Sequence, residues 1–202
     1  MKPSLDTSIA DWFAANSDGE FPPPEHGAPY TVIGPSSRTE HIIYSAKCQV
    51  ILRTFGDHAV PDDFSMICRY GLPGDADLGW MREIIGTRRL IFLGDMDPVD
   101  LLVFAWLRTQ LGPSGVAFLG VGDTLLKSLG LTISELSVIP LAPSEQRVFP
   151  LLETVFADLR ETAGQRCSEL LKKGWKIELE GVANATTLAA SKLCQTILQS
   201  VV

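Results

Sequence analysis

The sequence predicts an α/β protein in which a mainly parallel sheet carries helices on both faces. Three observations predict it. From residue 42 to 122 short apolar runs alternate with longer segments of helical spacing, in the order strand, helix, strand, helix, strand, helix, strand. Strands separated by helices pair in parallel, because a parallel crossover takes a dozen residues or more. At 202 residues and 46% hydrophobic content, the chain can bury one core of its own. The longest unbroken apolar run, Leu101 to Leu107, is far short of the roughly 20 residues that cross a bilayer, so no membrane span is expected.

Residues 1–40 read as a proline-rich N-terminal arm, and residues 41–202 as a single α/β domain with a helical C-terminal segment. In the arm, "SIADWFAA" has the spacing of one short amphipathic helix, and "FPPPEHGAP" cannot donate a regular set of backbone hydrogen bonds. "YTVI" and "HIIYS" are strand-like, "CQVILRTFG" opens a helix that ends at Gly56, and "FSMICRYG" is a strand. "LGWMREII" is a helix and "RRLIFLG" a buried strand. "PVDLLVFAWLRTQLG" is a helix with Pro98 in its first turn and Gly112 just past its end. "GVAFLGV" is the next strand, and "TLLKSLG", "FPLLETVFADLRETAGQRCSELLKKG" and "NATTLAASKLCQTILQSVV" are helical in period, with Pro140, Pro143 and Pro150 punctuating the loop between the first two.

A formal charge of -7 and a pI near 4.9 argue against holding nucleic acid by bulk electrostatics. Contact with nucleic acid would be local or shared with a protein partner. The positive residues cluster, with Lys172, Lys173 and Lys176 in "LLKKGWKIELEG" and Arg82, Arg88 and Arg89 ahead of an acidic stretch. Cys48, Cys68, Cys167 and Cys194 are far apart and set among apolar neighbours, as buried free thiols are. They and the acidic N-terminus predict a cytoplasmic protein. His26, His41 and His58 lack ligand spacing, and Trp80, Phe104 and Trp106 fall at core-like positions on helices.

The chemistry is expected at "LGDMDPV". A buried strand delivers Asp95 to its C-terminal end, the edge of an open parallel sheet where ligands bind. Asp95 and Asp97 are two apart, so continued strand geometry projects both to one side, where they can share a hard divalent cation such as Mg2+. The helix that starts at Pro98 would aim its N-terminus at a phosphate there. Asp97 is equally placed to cap that helix, with Asp95 finishing a loop.

"DMDPV" matches the nucleophile motif of the haloacid-dehalogenase phosphatases, which would make Asp95 the nucleophile and Asp97 the general acid. The later acidic cluster of that family is broken here: "GVGDTLLK" offers Asp123, then Lys127 where a second Asp is wanted. Metal-dependent nucleotide-sugar transferases also place Asp-x-Asp after a strand, but nothing else in the chain points to them. More of the chain resembles the Toprim domain in the A subunit of type IIB DNA topoisomerases and the related meiotic double-strand-break proteins. The stretches in family order are "CRYGLPGDADLGWMREI", with Gly71 and Pro73 in matching places, "DMDP", "GVAFLGVGDTLLKSLGL", "VIPLAPSEQRVFPLL" and "ELLKKGWKIELEGV", together covering about residues 41 to 183.

The resemblance implies a Toprim-like, Rossmann-like sheet, Mg2+ at Asp95 and Asp97, and a phosphate-bearing or nucleic-acid ligand approached by Lys47, with Lys172, Lys173 or Lys176 assisting. Two departures limit it. Ala46 stands where the family has a Glu, unless Glu40 fills in, and about 40 residues leave no room for the domain that carries the cleaving tyrosine. Tyr30 lies in the proline-rich end, and Tyr44 and Tyr70 in expected strands. A non-cleaving binding or partner subunit is therefore expected rather than an autonomous topoisomerase.

Overall fold

Short strands packed between helices build the observed architecture, described by a computed structural model for residues 31–34, 39–56, 60–62, 64–186 and 188–201. The strands of the main sheet are β1 (Thr31–Ile33), β2 (His41–Ser45), β3 (Met66–Cys68), β4 (Arg89–Phe92) and β5 (Val116–Phe118). Their spatial order is β1-β3-β2-β4-β5, and every pairing is parallel except that of β1 with β3. The fold is thus the expected α/β class. β1 joins the sheet ahead of residue 41, so the sheet starts inside the segment read as an arm; the helix expected in "SIADWFAA" lies outside the described residues.

Helix α1 (Cys48–Thr54) connects β2 to β3, α2 (Asp75–Ile85) connects β3 to β4, and α3 (Pro98–Leu111) connects β4 to β5. From β2 the chain steps to one side, to β3, and then back across β2 to β4. Right-handed crossovers in opposite directions put α1 on one face and α2 and α3 on the other. The reversal opens a crevice between the C-terminal ends of β2 and β4, the place where an open α/β sheet holds ligands. On the α3 face, Tyr44, Phe92 and Phe118 are register partners across three strands, with ring centroids 5.9 and 6.2 Å apart, and Phe104 of α3 packs onto that row. Tyr44 and Phe92 of this aromatic row form the floor of the crevice.

Helix α3 follows its signals closely. Pro98 occupies its first turn, ten of its residues from Pro98 to Leu107 are buried, and Gly112 ends it at φ 86. Beyond β5 come α4 (Asp123–Leu129), a 3-10 turn (Ile133–Glu135), β6 (Val138–Pro140), α5 (Pro143–Val155), α6 (Leu159–Ala163), α7 (Gln165–Lys172), β7 (Trp175–Ile177), α8 (Leu179–Ala183) and α9 (Ala189–Val201). Three helices replace the long helical stretch of the sequence. α5 starts at Pro143, so Pro150 lies inside a helix instead of punctuating a loop. Gly164, at φ 89, separates α6 from α7. α5 packs on α3, while α9 packs on α1 and β2.

β6 and β7, which the sequence did not announce, pair antiparallel. Their role is positional, because Met96 forms an isolated bridge to Ile177, with the Met96 amide donating to the Ile177 carbonyl at 2.9 Å. β7 therefore clamps the acidic loop after β4. The four cysteines are free, with Cys48, Cys68 and Cys167 buried. Among the described residues no helix is long and apolar enough to cross a membrane.

Candidate metal centre

Asp95, Asp97 and Asp100 converge at the crevice, each offering a carboxylate oxygen within 4.8 Å of the others. Each is fixed by a backbone amide. Clamping of Met96 by β7 keeps the chain extended from Asp95 to Asp97, so the two side chains project to one side as strand alternation requires. Asp95 accepts from the Leu179 amide at 2.8 Å through Oδ1 and pairs with Lys47 Nζ at 2.8 Å through Oδ2. Asp97 is the N-cap of α3, its Oδ1 accepting from the amides of Val99 and Asp100, both at 2.8 Å. Asp100, one turn into the helix, reaches back to accept from the Asp95 amide at 2.7 Å through Oδ2.

The cap and the cluster are thus one arrangement. Capping uses only Oδ1 of Asp97, and among the described residues nothing donates to Asp97 Oδ2 or Asp100 Oδ1. The expected phosphate contact at the start of α3 is not available, because Asp97 takes the two amides a phosphate would use. The helix dipole steadies a carboxylate instead.

A cavity of about 230 Å³ lies over the cluster. Its walls include five acids, Asp95, Asp97, Asp100, Glu145 and Glu178, against three bases, Lys47, Arg69 and Lys176. Arg69 is taken by Asp77 at 3.0 Å and Lys47 is shared with Glu180 at 3.3 Å, so the acids outnumber the bases left to answer them. All three aspartates are nearly sealed, at 2, 7 and 9% exposure. Burial, then the charge of Asp97, pushes the Asp95 carboxyl up to about 7, against the pull of Lys47 and the Leu179 amide. Burial also raises Asp97, opposed by the Asp100 amide and reinforced by Glu145. Asp100 is raised well above the carboxylate range by burial, then by Asp97 and Asp95.

The lysines answer these acids. Burial works to lower the Lys47 ammonium, but Asp95, Glu180 and Asp100 outweigh it and hold its pKa above the ordinary value. Lys176 is treated the same way by Glu145, Asp97 and Glu178, with Glu145 at 2.8 Å and Glu178 at 3.2 Å. Both lysines line the cavity. Lys172 and Lys173 do not: Lys172, 59% exposed along its side chain, stands 3.8 Å from Glu153, and Lys173 caps the end of α7. Ala46, at which the resemblance calls for a Glu, lines the cavity, whereas Glu40 precedes β2 at the opposite edge of the sheet and cannot supply it.

The donor set fits a hard cation. Three clustered carboxylates, two with an oxygen left over, suit oxygen-seeking ions such as Mg2+, Ca2+ or Mn2+, and among the described residues no Cys or His joins them. The cluster can therefore hold a metal ion. Sequence reasoning missed Asp100 and Glu145. Asp100 follows Asp97 by three residues, a spacing that returns a helix's first turn to its cap, and that signal is visible in "DMDPVD". Glu145 caps α5 by accepting from the Ala142 amide at 2.7 Å, three residues back, the same signature in "APSE".

Gly94 is required by this packing. A Cβ there would come within 2.5 Å of Asp100 Oδ2 and 2.7 Å of the Phe92 ring. Gly94→Ala is expected to cost about 1–3 kcal/mol by overpacking and to displace the Asp100 carboxylate; urea denaturation measures the cost. An unchanged midpoint would show that Asp100 yields freely.

A scan against protein-family models matches none, and a search of curated proteins returns no match.

Proposed function

We propose that this chain is a divergent Toprim-like domain that binds Mg2+ through Asp95, Asp97 and Asp100 and engages a phosphate-bearing or nucleic-acid ligand, as a non-cleaving binding or partner subunit. The observation that carries it is the convergence of three buried carboxylates at the switch point of a parallel sheet, within a cavity that Lys47 and Lys176 also line. Lys47 and Lys176 are the cations that meet the ligand, while Lys172 and Lys173 do not line the cavity. Ala46 supports the non-cleaving role, since a small apolar residue at that place can neither bind metal nor move a proton. Phosphatase chemistry is less well supported. Asp123, the acid it would need, instead accepts from the amides of Arg166 and Cys167 at 2.9 and 3.1 Å and does not line the cavity.

Thermal unfolding in a Mg2+ titration tests the metal. An ion at about 100 times its Kd stabilises by roughly 2.7 kcal/mol, which raises the Tm of a chain this size by about 5–10 °C. Asp97→Asn is the informative variant, because Asn caps a helix nearly as well as Asp and leaves the fold intact. The Mg2+ shift is expected to disappear in it. Equal shifts in both proteins would overturn the metal site.

A further inference from the structure

We infer that the cavity takes a single terminal nucleotide, with its phosphate inside beside Lys47 and Lys176 and its base at the mouth against Tyr70, and that it takes it only together with the cation. The assignment rests on the metal-and-phosphate function proposed above and narrows its ligand.

Size sets the first limit. About 230 Å³ is below the roughly 300–1,000 Å³ of a site that engulfs a whole drug-sized ligand. A phosphate and its sugar fill such a space, and a base must stay at the opening. A duplex backbone does not fit inside a pocket of this volume, and the chain's charge of -7 offers no basic track to hold one outside.

The walls set the second. Lys47 and Lys176 present cationic heads to the cavity, their side chains 23 and 14% exposed. Lys47 is paired with Asp95 and Lys176 with Glu145, both at 2.8 Å, so an anion entering alone meets lysines already engaged in a wall richer in acids than in bases and is repelled. A divalent ion on Asp97 and Asp100 offsets that excess of acid, and a phosphate can then bridge metal and lysine. By linkage, the cation must tighten the nucleotide and the nucleotide the cation by the same factor.

Tyr70 supplies the third. It lines the cavity yet is 56% exposed, a large ring held at the opening directly after β3 and before Gly71, which turns at φ 80. Buried aromatic rings serve packing, as Tyr44 and Phe92 do in the floor. A half-exposed one at the mouth of a phosphate-sized pocket is placed to stack a planar base.

Calorimetric titration of the full chain, with and without Mg2+, tests the assignment. The probes are adenosine 5'-monophosphate, ribose 5-phosphate, inorganic phosphate, a 5'-phosphorylated single-stranded oligonucleotide and a blunt duplex lacking terminal phosphates. Expected are binding of the two base-bearing phosphates in Mg2+ only, weaker binding of ribose 5-phosphate and none of the duplex. Comparable affinity for the mononucleotide and the oligonucleotide identifies a strand end as a source; preference for the former identifies a free nucleotide. Tyr70→Ala is expected to weaken the mononucleotide about tenfold and leave ribose 5-phosphate and the Mg2+ thermal shift unchanged, while Tyr70→Phe keeps wild-type affinity. If Mg2+ binds in an Asp97-dependent way but the base adds no affinity, the nucleotide assignment falls and the metal site stands. Loss of the Mg2+ effect itself overturns both.

Discussion

Metal-free protein is expected to lose stability as the pH rises from 5 to 8, and saturating Mg2+ to restore it. The folded Asp95 carboxyl titrates at about 7, against an ordinary value of 3.8. Between those values the folded chain keeps a proton that the unfolded chain has released, so protons favour the folded state. The stabilisation is complete below the unfolded pKa and is lost as the pH passes through 7. Asp97 and Asp100 are shifted in the same direction, so they steepen the decline. For Asp95 alone the difference is on the order of a few kcal/mol.

A metal reverses the slope because it binds carboxylates only after their protons leave, and its affinity therefore rises over the same interval. Urea denaturation at pH 5, 6, 7 and 8, with and without Mg2+, measures both effects. The gap between the two curves is expected to widen with pH, and Asp95→Asn/Asp97→Asn is expected to flatten the metal-free curve. A flat metal-free profile in the wild type, or a Mg2+ benefit that shrinks as the pH rises, contradicts the buried triad.

What was legible in the sequence follows the range of the signals. β4 and α3 are written in adjacent residues: an apolar run, two acids, Pro98, then a buried helix ended by Gly112. Their junction, and so Asp95 and Asp97, could be located without any tertiary information. β6 and β7 could not. Each has three residues, too few for a period, and their pairing joins Val138 to Ile177 across the whole of α5, α6 and α7. With β7 unseen, Lys176 could not be told from Lys172 and Lys173. All three stand within five residues, but a turn at Gly174, φ 82, separates the end of α7 from the strand that points Lys176 inward. Pro150 misled for a different reason. A proline inside a helix removes one hydrogen bond, and the burial of Val148 and Leu152 on either side keeps α5 continuous there. Asp100 was overlooked because a charged residue in a first helical turn ordinarily marks a solvated end, and only the clamp on Met96 turns that end into the crevice.

Lys47→Met is expected to be among the most damaging single substitutions in the chain. Met keeps most of the stem's volume and removes only the charge, so the loss reports the ion pair and not a cavity. Lys47 Nζ is 2.8 Å from Asp95 Oδ2 and 3.3 Å from Glu180 Oε2, and the Asp95 side chain is 3% exposed. Without Lys47, a buried carboxylate next to two others has lost its direct counter-ion. Stranding one partner of a buried pair costs roughly 3–5 kcal/mol, a drop of about 6–20 °C in Tm for a domain of this size. Because Asp95 titrates at about 7, it can escape the penalty by keeping its proton, so the cost is expected to be small at pH 5 and to grow above pH 7 by no more than about 1.4 kcal/mol per pH unit, reaching the full figure only well into the alkaline range. Two controls separate this from a general weakening of the fold. Lys172→Met removes an exposed lysine 3.8 Å from Glu153 and is expected to change stability by no more than about 0.5 kcal/mol. Adding Asp95→Asn to Lys47→Met removes the stranded charge and is expected to recover a large part of the loss at pH 8, a coupling that a double-mutant cycle reads directly. Should Lys47→Met cost the same at pH 5 as at pH 8, or Asp95→Asn fail to rescue it, the lysine supports the fold by packing alone, and the charge balance of the crevice must be held by other groups.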